Sequence, residues 1–142
     1  MLSDTLKSVL ADIYVVYFKA HSFHWNVEGS DFAQYHDFLG NFYQDVYGSI
    51  DVIAELVRTL DSYAPVSFAS LLSQATIEES TTVPDAKGML MQVRRDNDML
   101  LAQLVKSYDE AEKASEFGVS NYLQDRIQAH EKHAWMLRSI TK

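Results

Sequence analysis

Apolar residues recur every three or four positions along almost the whole chain, the spacing that lays a stripe down one side of a helix. Leu2, Leu6, Val9, Ile13, Tyr17 and Ala20 form the first stripe. It breaks at Val27-Glu28-Gly29-Ser30-Asp31, where Gly29 suits a stop and Ser30 or Asp31 an N-cap for the next helix. A second stripe runs through Phe32, Leu39, Phe42, Val46, Ile53 and Leu60, and Pro65 is expected to close it. From Pro84 a third carries Leu90, Val93, Leu100, Leu104, Tyr108 and Ala111. Gly118 is expected to interrupt there, before a fourth stripe through Leu123, Ile127, His130, Ala134, Leu137 and Ile140. No stretch keeps a period of two long enough for a sheet. The pattern predicts an all-α four-helix bundle.

The connection from Pro65 to Pro84 does not fit a minimal bundle, because a structureless loop of about twenty residues is unusual in a compact domain. Ser67 ahead of Phe68, Leu71 and Leu72 predicts a short extra helix with its own N-cap, between the second and third long helices. Its apolar side chains must cover either the end of their own bundle or another subunit. No internal repeat or second domain is visible, so residues 1–142 read as one domain.

Composition narrows the function. With 47% hydrophobic residues, five Gly and two Pro, disorder and low-complexity linkers are excluded. No apolar run approaches the ~18 residues of a membrane span. Nothing after Met1 resembles a secretory signal, which leads us to expect a cytoplasmic protein. The absence of Cys rules out thiolate ligands and thiol catalysis. A net charge of −8 favours cations over nucleic acid or anionic lipid.

Four residues carry the candidate chemistry. His24 ends the first helix and His36 lies early in the second, so an antiparallel hairpin turning midway between them brings the two imidazoles alongside. Asp51 and Glu55, four residues apart, share a face further down the second helix. Two imidazoles and two carboxylates suit iron, manganese or zinc. His36 and Asp51 are fifteen residues apart, however, or ~22 Å at 1.5 Å per residue. One chain cannot close a site with both. Two antiparallel copies of the second helix would set His24 and His36 of one subunit against Asp51 and Glu55 of the other, and a two-fold axis would create two such sites. Taken singly, each of these residues is equally at home on a packed or solvated helix face. The Glu-x-x-His pairs of a di-iron site within one bundle are absent.

The stretch from Tyr17 to Glu55 resembles the signature of the DNA-protection-during-starvation (Dps) family, the mini-ferritins. The matching residues are His24-Trp25-Asn26-Val27-x-Gly29, Phe32, His36, Phe42, Asp51 and Ala54-Glu55. The segment His130-Glu131-Lys132-x-x-Trp135-Met136-Leu137 is similar to the family's last helix. The resemblance implies a ferritin-like four-helix bundle assembled into hollow shells of twelve subunits, with ferroxidase centres at two-fold interfaces. His24 and His36 would come from one subunit, Asp51 and Glu55 from its neighbour, with Glu55 bridging two irons. The implied reaction is oxidation of Fe(II), preferentially by hydrogen peroxide, with ferric mineral deposited in the cavity; zinc would be able to take the same site. The short helix would sit at the dimer contact. Trp25 would supply an electron or pack in the core, and His21 would support His24 from behind.

Departures from the family pattern accompany the matches. Many members carry an acidic residue four positions after the second His, where this chain has Gly40; Asp37 points elsewhere around the helix. Where members line their iron-admitting pores with Asp, alignment places Asn121, with Glu116 and Asp125 as substitutes nearby. These departures support an alternative, a catalytically weak, metal-sequestering or purely structural shell. DNA binding is not expected, since the first helix starts within a few residues of Met1 and no basic extension surrounds Lys7 or Lys142. His130 and His133 are expected to be structural.

Overall fold

The computed structural model describes residues Met1–Lys142. It contains five helices and no strand: α1 Leu2–Asn26, α2 Phe32–Thr59, α3 Phe68–Leu72, α4 Ala86–Lys113 and α5 Phe117–Ile140. Helices α1 and α2 form one hairpin and α4 and α5 another, and the two join chiefly where α1 packs on α4. The stripes read from the sequence meet inside. Leu6, Val9, Ile13 and Ala20 face Leu39, Phe42, Val46 and Ile53 in one apolar core that also takes in Leu90, Leu100, Leu104, Leu123 and Leu137. Burying such side chains is worth roughly 1.5–3 kcal/mol each, which is what holds the hairpins together.

Local chemistry explains where the helices begin and end. Val27 is extended and Gly29 has φ +119°, a conformation open mainly to glycine, so the chain reverses there as expected. Asp31 takes the N-cap position of α2 without a side-chain cap bond. Ser67 caps α3, its hydroxyl accepting from the Ser70 amide at 3.1 Å. Asp85 caps α4, its Oδ1 accepting from the Gly88 amide at 2.8 Å. Two stops differ from expectation. Helix α2 ends well before Pro65, with the chain turning at Asp61 (φ +59°), and α4 is followed by a turn at Ser115 (φ +57°). In each case the next amide bonds back five residues, Ser62 to Val57 O at 3.3 Å and Glu116 to Ala111 O at 2.9 Å. This is the left-handed cap that satisfies the last carbonyls. Gly118 lies inside the first turn of α5 and interrupts nothing.

Two buried charges on α1 secure the long connection. Asp12, fully buried, accepts from the Thr76 amide at 2.7 Å, the Ile77 amide at 2.9 Å and the Thr76 hydroxyl at 2.6 Å, and also from Gln103 Nε2 on α4. Lys19 donates to Glu78 O at 2.6 Å and pairs with Asp96 at 2.7 Å. A buried carboxylate or ammonium is tolerated only when so satisfied. Within α3, Leu71 joins the core while Phe68 stays 75% exposed, so its apolar face is split between this bundle and the outside. No helix is long and apolar enough to cross a membrane.

Candidate metal centre

The turn at Gly29 folds the end of α1 onto the start of α2 and brings two imidazoles face to face. The rings of His24 and His36 stack with centroids 3.7 Å apart and planes 14° from parallel. Each ring is bonded to the other residue's backbone: His24 Nδ1 to His36 O at 2.7 Å, and His36 Nδ1 to His24 O at 2.7 Å. A carbonyl oxygen only accepts, so each Nδ1 carries a hydrogen and donates. In the neutral rings this leaves both Nε2 lone pairs free, the tautomer a metal ligand needs. Phe32 stacks on the outer side of His36 at 4.9 Å. Both histidines remain partly exposed.

Gly40 is what allows the His24 ring to lie there. A Cβ at position 40 would sit 3.0 Å from His24 Cε1 and 3.2 Å from its Nδ1. Any side chain at position 40 therefore requires the His24 ring to shift by a few tenths of an ångström.

Asp51 and Glu55 are exposed on α2. The nearness of the Asp51 carboxyl raises the Glu55 pKa. Two neighbouring carboxylates on one exposed helix face suit a cation. Within one chain they do not meet the histidines, and no group of three or more His, Asp and Glu converges to hold an ion. The structure therefore joins His24 to His36 and Asp51 to Glu55, and leaves the two pairs apart.

Other candidates fall differently. His21 does not support His24; its Nδ1 is bonded to the Tyr17 hydroxyl at 3.0 Å, and its ring lies on Tyr43. Burial, then the proximity of His24, lowers the His21 pKa. Trp25 is 57% exposed, so it is not a core residue in this chain. Asp37, Glu116, Asn121 and Asp125 are all exposed.

His130 and His133 belong to a polar network that the apolar stripes gave no means of finding. His130, fully buried, donates from Nδ1 to Asn97 Oδ1 at 2.7 Å and accepts at Nε2 from Arg126 at 3.0 Å. Burial, reinforced by Arg126 and His133, holds its pKa well below the usual value, so it is neutral. Arg126 grips Asp45 through two bonds of 3.1 and 2.9 Å, and His133 adds a third to Asp45 at 2.7 Å. Burial alone would raise the Asp45 pKa; the bonds from His133 and Arg126 outweigh it and hold the carboxylate ionised. The network ties α2, α4 and α5 together through side chains.

Comparison with known proteins places this geometry. The ferritin-like domain model matches residues 3–142. A DNA protection during starvation protein of Brevibacillus brevis is 34% identical over 141 residues, covering 99% of this chain and 94% of that protein. An uncharacterized low temperature-induced protein of Nostoc sp. is 35% identical over 139 residues, covering 96% of this chain and 78% of its own length. The crystal structure of a Dps protein from Vibrio cholerae, described as a member of a broad superfamily of ferritin-like diiron-carboxylate proteins, superposes with a TM-score of 0.95 at 30% identity, over 99% of this chain and 89% of that one. The chain belongs to the ferritin-like family and, within it, to the Dps mini-ferritins.

Proposed function

We propose that this protein is an iron-storing ferroxidase, an assembly of twelve subunits that oxidises Fe(II) at two-fold interfaces, preferentially with hydrogen peroxide, and deposits the ferric product in its cavity. The observation that carries the reading is the reciprocal lock of His24 and His36, which fixes both rings and frees both Nε2 atoms to bind metal. Asp51 and Glu55 of a neighbouring subunit complete the donor set, since a pair of exposed carboxylates is poised for a cation but distant from its own histidines. Fe(II) is the substrate, and zinc competes for the same donors. A groove of about 620 Å³, lined among others by Phe18, Tyr47, Phe68 and Leu72, supports this two-fold contact. These apolar side chains are otherwise exposed to solvent. Delivering both electrons to peroxide at one centre avoids release of hydroxyl radical. The net charge of −8 suits cation collection rather than DNA condensation, and we place the protein in the cytoplasm.

The alternative is a shell that sequesters metal with little catalysis, and Gly40, in place of a ligating side chain, is the observation that favours it. One experiment separates the two. Fe(II) is added anaerobically to the purified protein, then hydrogen peroxide, while Fe(III) absorbance and hydroxyl-radical trapping are followed together. Fast oxidation with suppressed radical, lost in His24→Ala/His36→Ala, is expected. Oxidation no faster than in buffer would leave the sequestering shell.

A further inference from the structure

Helix α2 carries His36, Asp51 and Glu55, and a polar tie rather than a broad apolar contact holds it to the second hairpin. The hairpins meet chiefly at α1 and α4, and α2 touches α5 only along a narrow strip. Arg126 spans that strip, bonded to Asp45 of α2 through both terminal nitrogens and to His130 of its own helix. Apolar side chains of similar volume often join helices at least as firmly, so adhesion alone does not explain buried charge here. His130 decides whether the tie holds. Asn97 donates from Nδ2 to His130 O at 3.0 Å, so its Oδ1 is the end that faces the ring and accepts from Nδ1 at 2.7 Å. Nε2 is left without a hydrogen and accepts from Arg126 at 3.0 Å.

A proton added at Nε2 would set two donors and two positive charges against each other at that distance. No free carboxylate compensates. The ionisable groups facing His130 are Arg126 and His133 of α5 and Asp45 of α2. Both oxygens of Asp45 already accept from Arg126, and one also accepts from His133. From α4 comes only the uncharged Asn97, and the adjoining Asp96 is bound by Lys19 of α1 at 2.7 Å. The strain has an outlet. Arg126 Nε is buried without an acceptor, so once the bond to His130 breaks, Asp45 is the last hydrogen-bond partner of the guanidinium. The Asp45 side chain is 38% exposed against 9% for Arg126, so the pair moves towards water.

We propose that His130, Arg126 and Asp45 form an acid-operated latch: a proton on His130 drives Arg126 and Asp45 outward, frees α2 from α5 and loosens the metal centre that α2 carries. As a brake on iron oxidation the latch rests on the ferroxidase reading; as a moving part of the fold it does not. That reaction makes its own acid. Two Fe(II) give one electron each to hydrogen peroxide, its O–O bond breaks, and with two further waters the products are two FeOOH and four protons. Acid that accumulates faster than it escapes thus slows the chemistry that produced it. The pH range follows from the two states of the latch. The open state binds the proton at the ordinary 6.5 and the closed state only well below it, so opening becomes easier by up to about tenfold per pH unit below 6.5.

Hydrogen exchange of the assembled, metal-free protein, read by mass spectrometry and corrected for the intrinsic rate, tests the motion. Protection of residues 42–49 and 126–133 is expected to fall by up to about tenfold per pH unit between pH 6.5 and about 5, while residues 6–13 of α1 keep theirs. No loss, or an equal loss in all three segments, would overturn the proposal, the second because it is global unfolding. His130→Gln keeps a donor for Asn97 and an acceptor for Arg126 but takes up no proton. It is expected to stay protected throughout, and a fall parallel to the wild type's would overturn the role of His130. Asp45→Asn opens the latch at a constant pH 7, so the protonation of the metal ligands does not change. It is expected to lower protection of both segments and to weaken zinc binding in titration calorimetry, on the order of tenfold or more. Exposed segments with undiminished zinc affinity would overturn the link to the centre. A wild type that binds no zinc would instead overturn the ferroxidase reading and leave the exchange result to decide about the latch.

Discussion

A missing side chain shapes the candidate centre as much as the two histidines do. Gly40 faces the His24 ring so closely that even a methyl group would lie 3.0 Å from Cε1. The backbone of α2 is fixed by the buried Leu39 and Phe42 on either side, so the ring must yield. A shift of a few tenths of an ångström lengthens the 2.7 Å bond from His24 Nδ1 to His36 O and loosens the hold on the tautomer. We therefore expect Gly40→Asp to weaken metal binding, although it adds a carboxylate. A loss of zinc affinity of about 10–100-fold, the usual effect of removing a bond that orients a ligating histidine, should appear in titration calorimetry of the assembled protein. Equal or tighter binding would mean that the added carboxylate ligates and that His24 tolerates the change. At this scale the sequence was informative about which residues matter. His24 and His36 stand out by spacing and by resemblance, and Gly40 as a departure from the family pattern. It was silent on how they are held, because a ring bonded to a carbonyl twelve residues away depends on the hairpin having closed.

The helices themselves were legible from their stripes, and their ends were not. Pro65 and Gly118 were the expected stops, whereas the chain turns at Asp61 and Ser115, both at positive φ. Sequence rules look for glycine at such positions because an L side chain there is strained by roughly 1–2 kcal/mol. Neither residue advertises itself, since the back-bonds from Ser62 and Glu116 decide the stop. Ser115→Gly should relieve this strain. We expect a gain of about 1 kcal/mol, seen as a higher Tm at a fixed protein concentration. An unchanged or lower Tm would show that the serine conformation is already compensated. Capping at Ser67 was the better guide, because that side chain bonds to an amide only three residues ahead.

Across the whole molecule, polar groups join what the apolar stripes leave separate. Arg126, Asp45, His130, His133 and Asn97 connect α2, α4 and α5, and Asp12 and Lys19 bind the long connection to α1. Such buried networks are costly if broken on one side. They also give stability a pH dependence with a definite sign. The folded pKa of His130 lies well below its ordinary 6.5, so between those values the unfolded chain takes up a proton that the folded chain refuses. Stability therefore falls as pH drops through about 6.5, by up to ~1.4 kcal/mol per pH unit for this group. Asp45 acts only in stronger acid: its pKa is depressed, so its contribution is complete above its ordinary 3.8 and is lost as pH falls below that value. Between pH 7 and 5 the decline thus belongs to the histidines, with His21 adding to His130. His130→Gln should lower Tm at pH 7 but flatten its dependence on pH over that range. A slope parallel to the wild type's would show that His130 is not the titrating group.

The amino-acid sequence by itself determined the class of fold and the extra helix after Ser67, and it singled out His24, His36, Asp51 and Glu55 as candidate ligands. Each of these is written in local spacing, where neighbours on one helix face are three or four residues apart. The tertiary structure alone decided the left-handed stops, the burial of Asp12 and the carbonyl bonds that lock His24 and His36 together. These depend on contacts between residues distant in the chain, whose energies exist only after the hairpins have packed. A charged residue on a helical stripe reads the same whether it faces solvent or a partner, until the opposing helix arrives.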